Sequence, residues 1–213
     1  MLSKKFVRYE KEGVEAIIRN RRQESSLFNN KVNHRNVLSA VHSEMINFYT
    51  MGVEMIGENF TGMDGKLNEM FNIFFESKML MIDKDRYFVV KISLNKKNKI
   101  FYDKYKTFII IGIWDPHRGV LVATLLGNMK VLKEEYEMKS DDFINNERKS
   151  SSMDINISKL INKGFLVFSV NSTPEEVYNI IKEKSDASLN YQFSPEHIIP
   201  IEKFDKNYYH RAS

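Results

Sequence analysis

Between Thr107 and Asp115 the chain reads Thr-Phe-Ile-Ile-Ile-Gly-Ile-Trp-Asp, a run dominated by β-branched and aromatic residues. A strand with one face in water alternates apolar and polar side chains, and this one does not. It therefore predicts a strand covered on both faces. Asp115-Pro-His-Arg-Gly119 follows as a compact turn, with Pro116 fixing φ at its second position and Gly119 closing it. Val120 to Leu126 is expected to return antiparallel, and Gly127-Asn128 to turn into a further strand, Met129 to Glu137. Upstream, Met79 to Ile82 and Tyr87 to Leu94 flank the polar stretch Asp83-Lys-Asp-Arg86 and read as a hairpin, with Asn95 to Lys99 as another turn. Together these segments predict an antiparallel meander of about five strands.

Helical signals lie on either side. Val14, Ile17 and Ile18 mark a short amphipathic helix. Val37, Val41, Met45, Phe48, Tyr49, Val53 and Ile56 form one apolar stripe, predicting a helix over Asn33–Glu58 that Gly52 and Gly57 weaken towards its end. Gly57 to Gly65 reads as a loop, and Leu67, Met70, Phe71 and Phe74 suggest a short helix from Lys66 to Phe75. Downstream, Ile155 to Asn162 reads as a short helix and Gly164 to Val170 as a buried strand. Ser172-Thr-Pro-Glu-Glu176 carries the strongest local signal: Thr173 as N-cap, Pro174 at the first helical position and Glu176 placed for a capping box. Another short helix start is Ser194-Pro-Glu-His197. The expected fold is α+β, with N-terminal helices packed on the antiparallel meander and a C-terminal strand–helix unit that joins the sheet or forms a small second lobe. Residues 1–138 hold the helices and sheet, 139–153 a polar linker or mobile loop, and 154–213 the C-terminal unit and tail.

Composition narrows the function classes. With 42% hydrophobic and 12% aromatic residues the 213-residue chain is too apolar for a disordered protein. It has no cysteine, which excludes disulfides and thiolate metal sites. The basic start Met1 to Arg8 is not followed by an apolar run, so a cytoplasmic protein is expected, and no apolar stretch is long enough for a membrane span. The formal charge of +4 is no nucleic-acid signature on its own.

Candidate chemistry is sparse. His34 and His42 are too far apart on one helix to share a metal, and His117, His197 and His210 are scattered, so no metal site or cofactor is expected. No phosphate-loop or activated-nucleophile motif is present. Three basic groups stand out: Lys4, Lys5 and Arg8; Arg19, Arg21 and Arg22; and Lys96, Lys97, Lys99, Lys104 and Lys106. The last is interleaved with Phe101, Tyr102 and Tyr105, a mix that suits phosphate contact and base stacking, or equally a solvated turn. Metal-dependent nucleases of the restriction-endonuclease type set an Asp and an acidic-x-Lys on neighbouring strands, so that carboxylates hold Mg²⁺ and the lysine steadies the attacking water. Asp115 with Glu137-Met-Lys139 is the candidate for that arrangement, against the plain alternative of solvated charges at hairpin ends.

Gly13-Val-Glu-Ala-Ile-Ile-Arg-Asn20, the long helix after it, Thr61-Gly-Met-Asp-Gly-Lys-Leu67 and the sheet beyond resemble, in that order, phage tail-completion (head–tail joining, neck) proteins. Phe60 stands where that family has Pro. The resemblance implies a non-enzymatic subunit of an oligomeric ring that contacts other protein subunits, in the host cytoplasm or the virion. The sequence is consistent with three functions: this assembly protein, a nucleic-acid-binding protein or Mg-dependent nuclease, and a small inhibitor or regulator from a mobile element.

Overall fold

The computed structural model describes residues 6–7, 40–56, 63–67, 73–83, 86–94, 96–145 and 151–211. Helix α1 (Ala40–Met51) leads into strands β2 (Glu54–Ile56), β3 (Gly65–Lys66) and β4 (Ile73–Met81), with β1 (Phe6–Val7) on the outer edge of β2. Strand β5 (Val89–Leu94) and helix α2 (Lys96–Lys104) precede β6 (Lys106–Asp115) and β7 (Val120–Asn128). A 3-10 turn (Met129–Leu132) opens helix α3 (Lys133–Asn145), followed by β8 (Ser151–Asn156), α4 (Ile157–Asn162), β9 (Leu166–Ser169) and α5 (Pro174–Lys184). The chain closes with β10 (Ile198–Pro200) and the short helix α6 (Tyr208–Arg211).

Among the described residues eight strands form one sheet in the order β1-β2-β3-β4-β6-β7-β9-β10, while β5 and β8 pair separately. The class is mixed α and β, as expected, but the sheet is no pure antiparallel meander. β4 and β6 run parallel, register Glu76↔Ile109 and Lys78↔Ile111, because β5 and α2 form the crossover a parallel pair requires. The expected hairpin of Met79–Ile82 with Tyr87–Leu94 is therefore absent, and β5 pairs with β8 instead. The β6–β7 hairpin forms as read, and β9 hydrogen-bonds to β7, so the C-terminal strand joins the main sheet.

The β6 run is covered on both sides. Ile109, Ile111 and Ile113 pack with β5, α4 and α5 through Val90, Ile92, Leu160, Val177 and Ile181. Phe108 and Ile110 on the opposite face pack with Phe75, Phe48, Met51 and Tyr209 from β4, α1 and α6. No helix among the described residues is long and apolar enough to cross a membrane.

Five local expectations are corrected. The long helix ends at Met51: Gly52 takes φ 65, Val53 N donates back to Phe48 O at 2.8 Å, and the chain turns into β2. At the two ends of the expected helix Lys66–Phe75, Lys66 closes β3 and Ile73–Phe75 opens β4, and residues 68–72 lie outside the described residues. Of the expected turn Asn95–Lys99, Lys96–Lys99 opens α2, anchored by buried Tyr102 and closed by Lys99–Asp103 at 2.6 Å one turn apart, and Asn95 lies outside the described residues. The expected strand Met129–Glu137 is the 3-10 turn and α3, because Met129, Leu132 and Tyr136 bury at helical spacing and Asn128 caps Lys130 N. Within the expected linker, Lys139–Asn145 continues α3 and Ser151–Met153 opens β8.

Candidate active site

Asp115, Glu137 and Lys139 do not meet. The Asp115 side chain accepts from His117 N at 2.9 Å and Arg118 N at 3.0 Å, so it caps the tight turn after β6. Glu137 lies on α3, where it pairs with Lys133 at 3.5 Å along the helix, and Lys139 is exposed two positions on. Glu137 and Lys139, two apart on a helix, cannot share the face that a strand would have given them.

A second acidic-x-Lys does assemble: Glu76-Ser77-Lys78 in the middle of β4. Glu76 and Lys78 share one face of the strand by alternation. Their side chains are ion-paired, Lys78 Nζ to Glu76 Oε1 at 2.6 Å. Asp64 stands immediately before β3, beside them. Its N–H donates to Phe75 O at 2.9 Å, and its Oδ2 accepts from Ser77 N at 2.8 Å. The carboxylate is thus fixed by the backbone of the acidic-x-Lys segment itself.

Two further elements hold this geometry. From α2, the Tyr102 hydroxyl donates to Glu76 Oε2, so both oxygens of Glu76 are engaged. From α1 on the opposite face, Asn47 Nδ2 donates to Ser77 Oγ and Lys78 O, both at 3.1 Å. Gly112 of β6 makes room for that contact, since a Cβ there would lie 2.2 Å from Asn47 Oδ1.

The electrostatics are those of a crowded acidic centre with one cation. Burial raises the Asp64 pKa above the usual carboxylate range, against the pull of the Ser77 N–H and Lys78, while Glu76 adds to the rise. Burial and the charge of Asp64 push Glu44, on α1, up to about 7. Burial works against the Lys78 ammonium, but Glu76, Asp64 and Glu44 outweigh it and its pKa is raised. Lys78 is therefore a permanent cation at neutral pH, a hydrogen-bond donor rather than a base. Among the described residues no three acidic or histidine side chains form a ready-made metal cage. Two carboxylates suffice for Mg²⁺, which keeps several waters and takes other ligands from substrate phosphate. Asp64 and Glu76 offer the hard oxygen donors that ion prefers.

No protein-family model matches the chain, and no curated protein matches it.

Of the sequence-predicted basic residues, Lys99 pairs with Asp103 at 2.6 Å, Lys104 lies over the Tyr105 ring, and Lys106 donates to His210 O at 3.1 Å. Lys96 and Lys97 open α2. Lys4, Lys5, Arg8, Arg19, Arg21 and Arg22 lie outside the described residues, as does the short helix read at Gly13–Asn20. The sequence reading passed over Asp64, Glu76 and Lys78 by assigning Gly57–Gly65 to a loop and Lys66–Phe75 to a helix. The available signal was the charged pair inside Phe74-Phe-Glu-Ser-Lys-Met-Leu-Met81, where two charges two apart interrupt an otherwise apolar strand.

Proposed function

We propose that the chain is a divalent-metal-dependent nuclease whose centre is Asp64, Glu76 and Lys78. The observation that carries this reading is the hydrogen bond from Ser77 N to Asp64 Oδ2, which locks an aspartate beside an acidic-x-Lys on the adjacent strand. That is the arrangement expected of the restriction-endonuclease type, at different residues from those the sequence first suggested.

Asp64 and Glu76 are the residues that would hold the ion. Bound there, Mg²⁺ would supply Lewis acidity at a phosphate oxygen and lower the pKa of a coordinated water. Lys78 presents a fixed ammonium beside that position, suited to orienting the attacking water and to stabilising charge gathering on the phosphate. In the reaction the water oxygen forms a new P–O bond, one ester P–O bond breaks, and the departing oxygen takes up a proton. Glu44 is a third carboxyl within electrostatic reach, held close to half-protonated at neutral pH and so able to exchange protons at the edge of the centre.

The test is incubation of end-labelled single- and double-stranded DNA with the purified chain in Mg²⁺ and in EDTA. Cleavage should require the metal, and Asp64→Asn should slow it by about a hundredfold or more while the variant keeps its fold. Metal-independent cleavage, or full activity in Asp64→Asn, contradicts the proposal.

A further inference from the structure

Tyr102 also lines a cavity of about 520 Å³, between the end of α2, the start of β6 and the first turns of α3. Its size falls within the range of about 300–1,000 Å³ typical of small-molecule sites. Its walls carry three tyrosines, Tyr102, Tyr105 and Tyr136, and its rim carries Lys104, Lys106 and Lys130. Lys133, Asp103 and Glu137 complete its charges, giving four cations against two anions. Both anions are engaged: Asp103 by Lys99 at 2.6 Å and by the Tyr136 hydroxyl at 3.0 Å, Glu137 by Lys133 at 3.5 Å. Among the described residues Lys104, Lys106 and Lys130 have no carboxylate partner within ion-pair distance.

We propose that this cavity binds the phosphate of a nucleotide, with Lys106 and Lys130 on the phosphate and the tyrosines against the sugar or base. Lys130 is exposed beside this space with the local acids already neutralised, Lys106 can exchange its bond to His210 O, 3.1 Å, for a phosphate oxygen, and the half-buried Tyr105 ring, beside the buried Tyr102 and Tyr136, offers the sequence-tolerant surface on which bases stack. Burial, and to a lesser degree the charge of Lys130, lowers the Lys106 pKa. The binding claim stands on the cavity alone. Its use rests on the nuclease reading: Tyr102 has its ring in the cavity wall and its hydroxyl on Glu76, so a nucleotide held here lies one side chain from the candidate metal site. The same phosphate chemistry fits two sources, a free mononucleotide or a nucleotide within a strand.

The experiment is calorimetric titration of the full chain in EDTA, where no hydrolysis occurs, with thymidine monophosphate and separately with a short single-stranded oligonucleotide lacking terminal phosphates. At least one probe should bind. Lys130→Glu, at an exposed position, and Lys106→Gln should each weaken that binding about tenfold or more, while Asp64→Asn should leave it unchanged. Binding of the mononucleotide identifies a free nucleotide as the ligand, and binding of the oligonucleotide alone identifies a nucleotide within a strand. If neither probe binds, or both lysine variants bind like the parent chain, the proposal is overturned. Lysine-dependent binding by a chain that never cleaves DNA with Mg²⁺ sinks the nuclease reading and leaves the cavity's role standing. Cleavage with lysine-independent binding does the reverse.

Discussion

Glu76 is held twice, by the Lys78 ammonium on one oxygen and the Tyr102 hydroxyl on the other. A metal arriving there must share that carboxylate, so the tyrosine acts as an orienting partner of the kind that tunes metal ligands from outside. Tyr102→Phe keeps the ring and removes only the hydroxyl. It should raise the Mg²⁺ concentration for half-maximal cleavage about tenfold with a smaller effect at saturating metal, as a metal titration of the rate would show. A fall at saturating metal with no change in midpoint would mean that Tyr102 does not act through the ligand.

Glu44 supplies the pH dependence. Its folded-state pKa, about 7, lies above the ordinary 4.5, because burial and Asp64 disfavour its charge more than Lys78 favours it. The folded state therefore binds this proton more tightly than the unfolded chain, and its contribution falls as pH rises from about 4.5 through about 7. In metal-free buffer Glu44→Gln should melt higher than the parent chain at pH 8, and the advantage should vanish near pH 4. Melting curves across that range check the sign. A variant less stable at pH 8 would place Glu44 in a favourable ion pair instead.

Single elements show what the sequence disclosed and where it misled. α5 was legible in full: Thr173 Oγ accepts from Glu176 N at 3.2 Å, and Glu176 Oε2 accepts from Thr173 N at 3.3 Å. Its signal is local, and local chemistry fixes it. The β6–β7 hairpin was legible because β-branched density and the Pro-Gly turn agree. β4 was not, because Leu67, Met70, Phe71 and Phe74 fit a helical stripe when β3 and β6 are out of view. α3 was lost for the complementary reason: Met129–Glu137 reads as a strand whose alternation Val131 and Leu132 break, and only burial selects Met129, Leu132 and Tyr136 at helical spacing. The misassignment of β4 hid the site. An acidic-x-Lys has meaning only once a strand puts both residues on one face, and Glu137-Met-Lys139 and Glu76-Ser-Lys78 are equivalent as text. Gly112 shows the same limit, since its need is set by Asn47, distant in sequence. Gly112→Ala should displace Asn47 from Ser77 and Lys78, cost about 1–3 kcal/mol and lower the melting temperature by several degrees. Unchanged melting would show that α1 can shift without disturbing β4.

Across the whole molecule, the site lies where three elements converge on the middle of the sheet: the turn into β3, the centre of β4, and α2 from the helical crossover that makes β4 and β6 parallel. α1 clamps the same strand from behind. The stretch Thr61–Leu67, which carried the resemblance to neck proteins, contains Asp64, so one short segment is shared by the two proposed functions. A neck subunit is the reading to which failure of the nuclease test would return, with a discrete oligomer in light scattering as its sign. The most direct trial compares two conservative variants of the two acidic-x-Lys segments in one Mg²⁺-dependent DNA cleavage assay. Glu76→Gln should lose about a hundredfold or more in rate, and Glu137→Gln should cleave like the parent chain. Loss in Glu137→Gln with retention in Glu76→Gln, or equal activity in all three proteins, would contradict the account.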